Sequence, residues 1–308
     1  MRWRLRNRTM TAMAIVGVAL LVNGCEAQSW GAPQDADNTP QAPIIPQVTA
    51  PALPEAPPGQ PPTSFNGLDA RVQQATADAA KSGADITAVV LDRNTGEIAA
   101  SGANQSFPIA SVVKLFIADD LLLQESEGKT ELSAADRTSL DAMLRSSDDS
   151  AAQNFWDRSG GNAVIARVKA RYGLAGTTAP YNGHWDVTTS TASDLVRYYD
   201  KLLNGSGGLP PQQASIIMSN LAQSTPTGND GYPQRFGIPE GLYAEPVAVK
   251  QGWFCCWSGP NQLHVSTGVI GADRRYVMAI SSLDPTSEAA ARANITEAVK
   301  TMFPGGTI

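Results

Sequence analysis

Ser111 and Lys114 stand three residues apart in Phe107-Pro108-Ile109-Ala110-Ser111-Val112-Val113-Lys114. On a helix that spacing sets both side chains on one face. The run continues through Leu115, Phe116 and Ile117, which points the lysine into an apolar interior. A charge is costly there, and the amine is driven toward its neutral form. A neutral lysine is a base for a neighbouring hydroxyl. A serine at a helix start also has an unpaired backbone N–H and the positive end of the helix dipole beside it. The plainer reading of the same pair is a capping serine followed by a snorkelling lysine. Ser147-Asp148-Asp149-Ser150 offers a second hydroxyl and two carboxylates. Either aspartate suits the N-cap of a helix beginning at Ser150. An ionised Asp149 accepts hydrogen bonds but cannot donate them. It either pairs with Lys114 and strengthens that lysine's hold on its proton, or welcomes a cationic or amine-bearing group. Lys250, Gln251 and Gly252 lie in a strand-like run, where Lys250 and Gly252 share a face. There the lysine can hold a substrate carboxylate, and the glycine leaves room for backbone to approach a ligand. A solvent-facing lysine on an edge strand is the alternative.

The elements that must position these groups follow from periodicity. Leu68 to Lys81 reads as a helix, with Leu68, Val72, Ala75 and Ala79 at helical spacing. Ile86 to Leu91 and Glu97 to Ser101 read as strands joined by a turn at Asn94-Thr95-Gly96. Helices are expected over Ser111–Leu123, Ser133–Arg145 (with a Ser133/Asp136 capping box), Ala151–Trp156, Ala163–Tyr172, Ala192–Leu203 and Pro211–Leu221. Strands return over Val247–Trp257, Leu263–Ile270 and Arg275–Leu283, before a closing helix over Thr286–Met302. Hairpins at both ends with helices between predict one five-stranded sheet, with the last helix on one face and the helical middle on the other. Cys255 and Cys256 are adjacent on a strand, so the period of two puts one inside and one outside. They read as two free thiols or as a strained vicinal disulfide. Trp253, Phe254 and Trp257 read as groove wall or as core.

The chain has 308 residues, with 23 Lys+Arg against 29 Asp+Glu for a net charge of −6. That length allows one or two domains. Hydrophobic residues at 42% exclude a wholly disordered chain, and the acidic balance excludes a general nucleic-acid binder. Three cysteines exclude a disulfide-stapled scaffold. Arg2, Arg4, Arg6 and Arg8 precede an uncharged apolar run from Met10 to Val22, which is a signal-peptide pattern rather than a membrane span. The run ends at Leu21-Val22-Asn23-Gly24-Cys25, which resembles a bacterial lipobox with Cys25 as the lipidated residue. Without residues 1–24 the net charge becomes −10. Ten prolines between Pro33 and Pro62 mark a stiff linker. The expected organisation is a signal peptide over 1–24, lipidated cysteine and Pro/Ala-rich linker over 25–63, and one folded body over 64–308 with a helical insert at about 104–245.

Taken in order, Ser111-Val112-Val113-Lys114, Ser147-Asp148-Asp149 and Lys250-Gln251-Gly252, with the first hairpin at Ala88–Asp92 and Thr95-Gly96, resemble the serine β-lactamase and penicillin-binding protein superfamily. The likeness is strongest to the class A β-lactamases, runs over about residues 66–304, and is carried here by an actinobacterial-type exported lipoprotein plan. It implies an α/β (α+β) fold of the β-lactamase/transpeptidase type, a five-stranded antiparallel sheet flanked by helices with an all-helical subdomain. It also implies Ser111 as nucleophile, Lys114 as base, Ser147 as proton relay, and the N–H groups of Ser111 and Trp253 as oxyanion hole. Asp149, Lys250, Gln251, Gly252 and Trp253 would contact substrate.

The chain departs from the pattern in three places. Asp149 stands where the family has asparagine. Gln251 stands where it has a hydroxyl residue, keeping an amide donor toward substrate. No glutamate occurs from position 132 to 239, where class A enzymes carry the one that activates the deacylating water. The corresponding loop, Ala175 to Asp186, offers His184, a candidate base, and Asp186, which reads as a helix cap. The expectation is a serine acyl-enzyme hydrolase or transferase acting on an amide or ester such as a cell-wall peptide, with poor or no β-lactam turnover. The alternative is a catalytically impaired binding lipoprotein of the cell envelope. No metal or cofactor is expected. The expected partners are membrane lipid through Cys25, at the extracytoplasmic face of the cell membrane, and peptidoglycan or a small acyl substrate.

Overall fold

A computed structural model of the chain describes residues 65 and 67–308. The signal peptide, Cys25 and the linker lie outside the described residues. The body opens with helix α1 (Leu68–Lys81), strands β1 (Asp85–Asp92) and β2 (Ile98–Ser101), and a short β3 (Ser106–Pro108). A 3₁₀ turn (Ala110–Val113) leads into α2 (Lys114–Ser126), followed by α3 (Ala134–Arg145), α4 (Asp149–Arg158) and α5 (Asn162–Tyr172). A loop with a second 3₁₀ turn (Trp185–Val187) reaches β4 (Thr189–Thr191), α6 (Ala192–Asn204), α7 (Pro211–Ala222) and the single-turn α8 (Ile238–Gly241). Strands β5 (Val247–Trp257), β6 (Asn261–Ile270) and β7 (Tyr276–Asp284) and helix α9 (Glu288–Met302) complete the body.

The expected five-stranded antiparallel sheet is present, in the order β2-β1-β7-β6-β5. The two ends of the chain meet where β1 pairs with β7 over Asp85–Asp92. Alternation along β1 sorts its side chains between two cores. Ala88 and Val90 face α1 and α9, among Val72, Ile295 and Val299. Val89 faces the helical side, among Phe116, Tyr199 and Val277. The apolar stripe of α1 is buried as its spacing predicts, and the Ser133/Asp136 capping box closes the start of α3. Among the described residues no helix is long and apolar enough to cross a membrane.

Two local features differ from the sequence reading. Ser111 does not open an α-helix: it lies in the 3₁₀ turn, and α2 starts at Lys114. Side chains three apart eclipse one another in a 3₁₀ helix, so the turn stacks lysine over serine more directly than an α-helix would. The small β3–β4 sheet, Phe107 opposite Ser190, was not legible, because three-residue strands carry no period. It clamps the nucleophile turn to the loop before β4, and Ile109 N–H donates to the Thr188 carbonyl at 2.9 Å.

Helix α2 is buried on all sides from Lys114 to Leu122 and carries two carboxylates inside the helical core. Asp119 bonds Arg171 and the Tyr172 hydroxyl. Asp120 receives a two-pronged contact from Arg167, each bond 2.7 Å. Burial raises the Asp119 carboxyl above its usual range while Arg171 opposes that rise. These pairs fix the azimuth of the helix that carries Lys114. Arg171→Met leaves the Asp119 carboxyl buried without its cation. The expected loss is about 3 kcal/mol of unfolding free energy in urea titrations, the usual cost of breaking a buried pair on one side.

Candidate active site

Lys114 is fully buried, and its amine is surrounded by acceptors. Nζ donates to Ser111 Oγ at 2.9 Å, to the Ser147 carbonyl at 2.6 Å, to Ser147 Oγ at 3.2 Å and to Asp149 Oδ1 at 2.5 Å. The Trp185 ring covers it, its centroid 4.8 Å from Nζ. The serine and lysine therefore meet as their spacing predicts, and the lysine does not snorkel to solvent. Burial pulls the Lys114 amine below the ordinary lysine range, and the Asp149 charge pushes back against that shift. Lys250 is buried too, and its Nζ donates to Ser147 Oγ at 2.8 Å. Burial and the neighbouring Lys114 hold its amine well below the ordinary range. Two amines thus converge on one hydroxyl.

Local backbone makes this convergence possible. Ser147 has φ 61°, a left-handed conformation uncommon for a residue with a side chain. That bend turns its carbonyl and hydroxyl toward Lys114 together. Ala110, at φ 45°, bends the chain immediately before Ser111. Asp148, not Asp149, caps α4, accepting from Ala151 N–H at 2.8 Å. Asp149 is released from capping and pairs with Lys114. Gly252 lies against the nucleophile turn. A Cβ there would sit 2.6 Å from the Ile109 carbonyl and 3.2 Å from the Ser111 nitrogen, so only glycine lets β5 come this close.

The groove above Ser111 has a volume of about 530 Å³. Ser111, Asp149, Trp253 and Phe254 line it, as do His184 and Asp186 from the loop before β4. Trp253, stacked on Tyr232 at 4.8 Å, and Phe254, packed against Trp257, line the groove and also rest on the core, while Trp257 does not line it. Gln251 is a correction. Strand alternation turns it to the opposite face from Lys250, where it is 1% exposed and its amide donates to the Phe236 carbonyl at 2.6 Å, out of reach of the groove. Asp186 is not a helix cap either. It sits in the second 3₁₀ turn, and Thr191 caps α6. Trp185, rather than a carboxylate, occupies the loop position over Lys114. Cys255 and Cys256 form a vicinal disulfide and both are exposed, because a bulge between Cys255 and Trp257 breaks the strand's alternation. Among the described residues no group of three or more His, Cys, Asp or Glu side chains gathers to hold a metal ion.

Sequence reasoning missed the loop between α7 and α8. Asn229 N–H donates to the Ser146 carbonyl and its side chain to Asp148, while Gln234 donates to the Arg145 carbonyl at 2.7 Å. The loop thus satisfies carbonyls left open at the end of α3 and braces the Ser147 bend. It also presents Asp230, which accepts from Trp253 Nε1 at 3.2 Å, and Tyr232, whose hydroxyl lies 2.7 Å from His264 Nε2. None of these positions has a periodic signal.

A model of the Beta-lactamase enzyme family matches residues 68–138 and 136–303. A Mycobacterium tuberculosis protein named "Putative lipoprotein LppW" is 54% identical, over 97% of this chain and 98% of its own length, and its Mycobacterium bovis counterpart matches equally. Among solved structures, a variant of the class A β-lactamase of the last common ancestor of Gram-negative bacteria superposes with TM-score 0.62 at 19% identity, covering 75% of this chain and 96% of that one. A PBP-A variant in acyl-enzyme complex with penicillin G gives TM-score 0.63 at 18% identity, covering 79% and 98%.

His264, 1% exposed, is held by burial and by the nearby Arg292 charge at a pKa of about 4, below its ordinary 6.5. The unfolded chain therefore takes up a proton first. Stability is complete above pH 6.5 and falls as pH drops toward 4, by about 3 kcal/mol from this group alone. Urea unfolding followed across that window should show the decline, and His264→Gln should flatten it.

Proposed function

The chain belongs to the β-lactamase enzyme family, and from that premise we propose that it is a serine acyl-enzyme hydrolase or transferase of amides or esters, tethered to a membrane through lipidated Cys25. The observation that carries this reading is the fully buried Lys114 amine 2.9 Å from Ser111 Oγ. Deprotonated, Lys114 takes the Ser111 proton as Oγ attacks the substrate carbonyl. The developing oxyanion meets the N–H groups of Ser111 and Trp253. Ser147, bonded by both lysines, passes the proton to the leaving amine or alcohol. Water or a second nucleophile then releases the acyl group from Ser111. Cell-wall peptides are the substrate class suited to a domain held at the outer face of a membrane.

Release is slow in this reading when the acyl group is a β-lactam. Trp185 covers Lys114 and supplies no base for a deacylating water, and the exposed His184 and half-buried Asp186 lie at the groove wall. The ion pair between Asp149 and Lys114 favours the second reading, a binding lipoprotein with impaired turnover, because it holds a proton on the base.

Intact-mass spectrometry after incubation with a fluorophosphonate or a penicillin separates the two. The expected result is one adduct on Ser111, persisting after excess penicillin is removed, absent from Ser111→Ala and slowed about 100-fold or more in Lys114→Ala. No adduct with either probe would leave the binding reading. For the tether, Cys25→Ala should move the protein from the membrane fraction to the soluble one and abolish palmitate labelling. Unchanged fractionation would overturn the lipid anchor.

A further inference from the structure

Asp149 touches two things at once. One oxygen holds Lys114 Nζ, yet its side chain is 68% exposed and lines the groove beside Ser111. Building on the acyl-enzyme reading of Ser111, we propose that Asp149 determines specificity, and that the preferred acyl substrate carries a primary amine or similar cation close to its reacting carbonyl.

The groove is built for such a group. Asp186 and Asp230 add carboxylates to its walls, and no lysine or arginine occurs among the described residues that line it. Glu288 also lines it but is paired with Arg292 at 2.6 Å, and Asp149 is paired with Lys114 at 2.5 Å, so among the described residues the carboxylates that line the groove without an ion-pair partner are Asp186 and Asp230. Asp230 is held in place by Trp253 Nε1 and by Tyr232 N–H. The aromatic rings bound the groove rather than hold the cation: Trp185 already covers Lys114, and Tyr232 is stacked on Trp253 and lies under Arg292. A carboxylate-bearing substrate would meet repulsion at the same walls.

Occupancy of Asp149 also reaches the base. Lys114 feels Asp149, Asp148 and Asp230 as attraction, Lys250 as repulsion, and the Trp185 ring as cover. A substrate cation on Asp149 competes for the carboxylate that keeps Lys114 charged. Lys114 then releases a proton to solvent and becomes the base. The Ser111 Oγ–carbon bond forms as the hydroxyl proton passes to Lys114. The bond to the leaving amine or alcohol breaks as that proton is returned to it. The substrate thereby assists its own acylation, and a neutral analogue does not.

The test uses nitrophenyl esters of β-alanine (cationic), N-acetyl-β-alanine (neutral) and succinate (anionic). Acylation is followed by nitrophenolate release and intact mass, each rate taken above the Ser111→Ala background. The expected order is cationic over neutral by about tenfold, with the anionic ester slowest. Asp149→Asn should bring the three within about threefold and shift the rising limb of the neutral ester's pH profile to lower pH. Equal rates in the wild-type protein, or an unchanged order in Asp149→Asn, overturn the proposal. Binding of β-alanine amide and its N-acetyl counterpart to Ser111→Ala, read by tryptophan fluorescence, separates the two claims. A preference for the amine there, with no acylation of the wild-type protein, supports the specificity and sinks the acyl-enzyme reading. No preference there overturns the specificity whatever the esters do.

Discussion

Removing an ammonium from water costs several kcal/mol unless polar partners replace the lost hydration. At Lys114 the replacements are two serine hydroxyls, one carbonyl, one carboxylate and the face of an indole ring. Much of the surrounding architecture serves to bring those partners to one point. The Ser147 bend supplies two of them, at the expense of a backbone conformation that disfavours side chains. Asp148 takes the capping duty so that Asp149 can turn inward. Gly252 lets the edge strand approach, and the Asp119 and Asp120 pairs hold α2 at a fixed rotation behind the amine.

Lys114 and Lys250 share the Ser147 hydroxyl, and each raises the cost of a proton on the other. Such a pair titrates as a unit. Asp149, open to the groove, sits where an incoming charge can alter how the pair divides its protons. This differs from an arrangement in which a loop carboxylate manages a water molecule. Here the loop contributes a ring and the control lies on the helix that follows the second motif.

Much of the fold was legible because it is periodic. The stripe of α1, the alternating cores of β1 and the chain order of the strands all follow from spacing. The three motif clusters were legible by resemblance, although Ser111 lies in a 3₁₀ turn and Ser147 in an irregular bend. What could not be read was set by partners far along the chain. Asp119 and Asp120 carry no signal inside an apolar run, since Arg171 and Arg167 lie about fifty residues away. Asp230, Tyr232 and Gln234 belong to a loop whose bonds are all long-range. Gln251 was assigned toward the groove by resemblance, although the strand period that turns Lys250 toward Ser147 sends its neighbour to the other side. The bulge after Cys255 defeated the same period at the hairpin tip.

The 3₁₀ turn that carries Ser111 has a consequence for how this protein can vary. With about three residues per revolution, hydroxyl and amine are in phase, one directly above the other. Inserting or deleting a single residue between them would swing the lysine through roughly a third of a circle and aim it into the packed helical core instead of at the serine. The four-residue segment at the cleft floor is therefore fixed in length by the phase of Ser111 and Lys114, and in packing by Val112 and Val113, which are fully buried in the helical core.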